Sequence, residues 1–165
     1  MTTPVDELSV LLKSLSSDLR VYVGAGRLRS TGGSGGLTQA VAEEVHALVV
    51  ELYEGYWHRY AYGTDGPASA PQIEMSLYPK SAAEATALLG ELASASLLFP
   101  EFAFMDSAEA KSIAARVVGS LGPGARWWSN RDDLSVDTVT SCSIDTFVIG
   151  SDGDRFALLI QVGDD

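Results

Sequence analysis

Several short stretches of this 165-residue chain carry residue types that could do chemistry, and each is limited by what that chemistry needs around it. Val21-Tyr22-Val23-Gly24-Ala25-Gly26 opens like a dinucleotide-binding fingerprint, in which glycines let the backbone approach a pyrophosphate. The third glycine belongs at position 29, where Arg29 stands, and helical periodicity resumes only near Leu37. A strand end or turn explains these glycines better. Gly32-Gly33-Ser34-Gly35-Gly36 matches G-x-S-x-G, but a nucleophile elbow also needs a downstream acid and then a histidine. The chain has only His46, in the middle of an expected helix, and His58, a few residues after Glu51 and Glu54. The same stretch lacks the lysine of a phosphate-binding loop, so it reads as a flexible glycine loop of linker-like composition.

Metal chemistry fares no better. Cys142 and two histidines cannot build a zinc site of the Cys/His type. Asp132-Asp133 and Asp152-Gly153-Asp154 offer oxygen ligands without the spacing of a calcium loop. No metal and no cofactor is expected. Paired carboxylates assembled in space leave no sequence signature. A pocket of dispersed residues would draw on His58, Arg59 and Tyr60 together with Glu74, which lies between Ile73 and Met75 in an expected strand.

Binding is the chemistry the composition favours. The net charge is −11, and it is uneven: residues 1–80 hold 9 acids and 6 bases, residues 81–165 hold 13 acids and 5 bases. Residues 132–165 contain eight aspartates against Arg155 alone. Such a field repels nucleic acid and anionic membranes and steers basic proteins inward. Aromatic anchors cluster at Tyr53, Tyr56, Trp57, Tyr60 and Tyr62, and again at Trp127-Trp128. Neighbouring strand residues face opposite ways, so one tryptophan is expected in the core and the other partly exposed. Tyr56, Trp57, Tyr60, Trp128, Asp132, Asp133 and Asp137 are therefore the candidate partner-binding residues.

The elements that must hold these residues are those of one α+β domain spanning 1–165. An apolar fraction of 46% with 20% charged residues is that of a globular chain. A lone cysteine, no long apolar run and an acidic start without a signal pattern imply a reducing, cytoplasmic setting. Eight arginines to three lysines, with abundant Ala and Gly, fit a bacterium with GC-rich DNA.

Helices are expected from Pro4 with Leu8, Leu11, Leu12 and Leu15 buried, and after the glycine loop with Val41, Val45 and Leu52 inward and Glu43, Glu44 and Glu51 outward. Two more should begin at the boxes Ser81/Glu84 and Asp106/Glu109. Alternation predicts strands at Leu19–Val23, over 56–62, over Gln72–Tyr78 and along Val136–Val148. Asp152-Gly153, with both residues at positive φ, should turn the chain into a final strand from Arg155 to Val162. The fold class is a mostly antiparallel sheet, with about four helices packed mainly on one side and a C-terminal β-hairpin.

The last third resembles the immunity proteins of bacterial polymorphic-toxin systems. Trp127-Trp128, an Asp-rich loop and a hairpin ending in Gln161-Val162-Gly163-Asp164-Asp165 carry the resemblance, over about 40 residues. It implies a non-enzymatic inhibitor that neutralises a basic toxin, and it carries over no individual functional residue. A small-molecule binder or enzyme with the dispersed pocket described above is the alternative.

Overall fold

The computed structural model describes residues 4–29, 36–55, 67–132, 135–140 and 144–163. The expected strand over 56–62 lies outside them. Helix α1 (Pro4–Leu15) leads into β1 (Val21–Arg27), followed by α2 (Gly36–Gly55), α3 (Ala70–Met75) and β2 (Tyr78–Lys80). Then come α4 (Ala82–Ser94), α5 (Ser107–Leu121), β3 (Arg126–Ser129), β4 (Ile144–Ser151) and β5 (Arg155–Gly163). The strands form one sheet in the order β1-β5-β4-β3-β2, and every neighbouring pair is antiparallel.

The α+β class and the C-terminal hairpin are as the sequence implies. Among the described residues the helices divide three to two across the sheet. On one face Leu8, Leu12, Leu89, Leu92 and Val117 of α1, α4 and α5 meet Trp127, Val148 and Leu159. On the other, Val41, Val45 and Ile73 of α2 and α3 meet Trp128, Phe147, Ile149, Leu158 and Ile160. Alternate residues of β4 and β5 thus go to opposite apolar layers, so these strands are buried on both faces. Burial of that kind removes the polar/apolar alternation of a half-solvated strand.

Local chemistry places the helix starts. Ser81 Oγ accepts from the Glu84 N–H at 3.0 Å, and Glu84 returns the bond to the Ser81 N–H at 2.9 Å. Asp106 accepts from the Glu109 N–H at 2.9 Å. The segment expected as a strand over Gln72–Tyr78 is instead α3 followed by the short β2. Ser69 and Gln72 make a full capping box with Pro71 in the first turn, and those signals outweigh the brief alternation. Three further expectations are revised. The stretch Val136–Val148 is not one strand: Val136 only bridges Arg131, and β4 begins at Ile144. Leu19 is 90% exposed, because β1 starts two residues later. At the hairpin only Gly153 has positive φ (100°), since Asp152 accepts from the N–H groups of Asp154 and Arg155 and so closes a longer turn.

One close approach fixes the β3–β4 register. Trp127 lies opposite Gly150, and a Cβ added there would sit 2.4 Å from the indole. We expect Gly150→Ala to lower stability by about 1–3 kcal/mol through overpacking. Urea unfolding checks this, because an unchanged midpoint would mean that the ring can shift.

Candidate partner-binding surface

A buried polar knot positions the acidic loop. Asn130, at the end of β3, and Asp145, at the start of β4, are both fully buried. Asp145 accepts from the N–H groups of Val139 (3.1 Å) and Thr140 (2.9 Å), from the Thr140 hydroxyl (2.6 Å) and from Asn130 Nδ2 (2.9 Å). Asn130 in turn accepts from the Phe147 N–H at 2.8 Å and donates to the Asp137 carbonyl at 3.0 Å. Two side chains thus tie both ends of the loop to the central sheet. Burial pushes the Asp145 carboxyl above its ordinary value of 3.8, against the opposing pull of the donors around it.

The knot delivers Asp132 and Asp137 to one corner of the molecule. Asp137 is exposed and accepts from the Tyr78 hydroxyl of β2, and that hydrogen bond raises the Tyr78 pKa above its ordinary range. Asp132 is half-buried and lines a shallow groove of about 560 Å³ along α4 with Lys80, Glu84, Leu88, Glu91 and Arg131. Arg131 Nη1 bonds Glu91 at 2.6 Å and uses up one of the two cations. Glu84, Glu91, Asp132 and Asp137 therefore face Lys80 and Arg131, an excess of two negative charges on one surface.

Of the candidates read from sequence, the structure unites Asp132 and Asp137. Tyr56, Trp57, Tyr60 and Asp133 lie outside the described residues. Trp128 is corrected: it is 2% exposed, packed under α2 and α3, with the Arg126 guanidinium 4.9 Å from its ring. Both tryptophans are core because both faces of the sheet are covered. His58 and Arg59, named with Tyr60 for a dispersed pocket, also lie outside the described residues. Glu74 sits on α3, where it accepts from the Thr38 hydroxyl at 2.7 Å and joins α3 to α2. Glu44, expected on an outer face, is 3% exposed and holds the Arg29 N–H at 2.8 Å and its guanidinium at 3.2 Å.

Sequence reasoning missed Tyr78, Lys80, Glu84, Glu91 and Arg131 as neighbours of the aspartates. Glu84 was recognised only as a cap, and nothing local announces that α4 runs beside the loop. Among the described residues no group of three or more His, Cys, Asp or Glu could hold a metal ion. None of their helices is long and apolar enough to cross a membrane. No family model matches the chain, and neither a curated protein nor a solved structure matches it significantly.

Proposed function

We propose that the chain is a non-enzymatic, acidic protein-binding module, an inhibitor of the immunity-protein kind that acts in the bacterial cytoplasm. Its partner is a basic protein, and the corner formed by the acidic loop, β2 and α4 is the contact surface. What supports this is the buried Asn130–Asp145 knot, in which Asn130 Nδ2 donates to the Asp137 carbonyl and so anchors the segment that carries Asp137. A preorganised surface avoids much of the ordering cost of binding, and its acidity speeds encounter with a basic partner.

Co-expression with the product of the neighbouring reading frame, followed by binding kinetics on the purified pair, tests the proposal. A stoichiometric complex is expected whose association slows as salt rises. The double variant Asp132→Lys/Asp137→Lys should slow association by at least about tenfold while leaving thermal unfolding in place. Binding that ignores both salt and the charge reversal would refute the assignment.

A further inference from the structure

The two edges of the sheet are built differently. β2 closes one edge with three residues, and its central Pro79 has no N–H to offer. Short edge strands and proline are the usual devices against unwanted strand pairing. β1 closes the other edge with seven residues, Val-Tyr-Val-Gly-Ala-Gly-Arg, and has neither device.

The ladder shows which groups of β1 are open. The Val162 N–H donates to the Arg20 carbonyl at 2.9 Å, and the Leu28 N–H to the Asp154 carbonyl at 2.8 Å. Both pairs continue the β1–β5 register, in which Val21 faces Gln161 and Arg27 faces Arg155. Antiparallel ladders alternate, so Tyr22, Gly24 and Gly26 also bond inward to β5 while Val21, Val23, Ala25 and Arg27 point outward. Val21 is satisfied locally: its N–H reaches the Asp18 carbonyl and its carbonyl accepts from Ser16 Oγ. The outward N–H and C=O groups of Val23, Ala25 and Arg27 have no partner among the described residues.

We propose that this edge pairs with β1 of a second copy of the chain, antiparallel about a two-fold axis at Ala25, to make one continuous sheet across a dimer. The open residues are symmetric about that axis. Val23 would face the partner's Arg27, Ala25 the partner's Ala25, and Arg27 the partner's Val23, each pair exchanging two hydrogen bonds. Every open group is satisfied in that register. Charge permits the approach, because the cations of this edge are locally neutralised. Arg20 pairs with Asp18 at 3.1 Å, Arg27 with Asp154 at 3.4 Å and Arg29 with Glu44 at 3.2 Å. The acidic excess of the acidic-loop corner belongs to the opposite edge, beside β2. This inference does not rest on the proposed partner-binding function and can fail or hold without it.

Sedimentation equilibrium of the full chain at hundreds of micromolar, with amide hydrogen exchange at high and low concentration, tests the proposal. The expected mass is twice that of one chain. The amides of Val23, Ala25 and Arg27 should gain at least tenfold protection at high concentration, while those of Tyr22 and Gly24 stay protected throughout. Ala25→Pro removes an outward N–H and no bond to β5, so it should sediment as a single chain. The exchange result on the unaltered protein stands even if that variant folds poorly. A single-chain mass at every concentration, or fast exchange of the three amides in a dimer, would overturn the proposal. The first outcome would leave the edge to a strand of another protein, and the second would place the dimer contact elsewhere.

Discussion

Replacing Asp145 with alanine is expected to destabilise the protein by about 3 kcal/mol or more, read from denaturant unfolding. The substitution removes the carboxylate that accepts from the buried N–H groups of Val139 and Thr140 and from the Thr140 hydroxyl. Each orphaned buried donor costs about 1–3 kcal/mol. The loss should also slacken the acidic loop, so any partner bound there would dissociate faster. The same carboxyl predicts a pH dependence. Its folded pKa is raised above 3.8 because desolvation outweighs the donors that favour the anion. A raised acid contributes stability that is complete below the unfolded value and is lost as pH rises through the folded one. Asp145→Asn cannot titrate. The stability difference between wild type and this variant should therefore be largest in acid and shrink toward neutral pH, with the other carboxylates cancelling. A difference that grows with pH would show that the hydrogen bonds win.

Trp128→Ala should cost about 3–5 kcal/mol, as expected for removing a large side chain from a well-packed interior. Its indole is among the largest fully buried side chains and packs in the layer formed with α2 and α3. Chemical denaturation measures the loss directly. An exposed binding anchor would give a different pattern, with stability kept and partner affinity lost. A fold of unchanged stability would thus return Trp128 to the role first assigned to it by the sequence.

What the residues disclosed in advance was mostly local. The helix caps at Ser81 and Asp106 are read from a few adjacent side chains, as is the Asp152-Gly153 turn. Ser69 and Gln72 carried the same cap signal, but a short alternation around Ile73 obscured it. The burial of Glu44 was half-visible, since it follows Val41 by three residues and so falls beside the apolar stripe of α2. The continuous apolar runs Phe147-Val148-Ile149 and Phe156 to Ile160 were the mark of strands covered on both faces. Strands of that kind put both Trp127 and Trp128 in the core, one in each layer. The proposed contact surface was legible only in its aspartates. Its other members come from β2 and α4, which are distant in sequence and reach the loop only once the sheet has formed. The knot beneath it left no trace, because Asn130 and Asp145 look like ordinary polar residues until their partners are known.

The sheet order also bears on how the chain is made. β1 has its ladder partner 128 to 140 residues downstream, and β4 and β5, both interior strands of the sheet, are the last described elements to be synthesised. At about 5–20 residues per second, β1 waits on the order of ten seconds on the ribosome before β5 exists. Pairings this distant fold slowly, since a long loop must close before any contact repays it. In that interval α1 has α4 and α5 to pack against, whereas the backbone of β1 has no strand to pair with until the final hairpin exists.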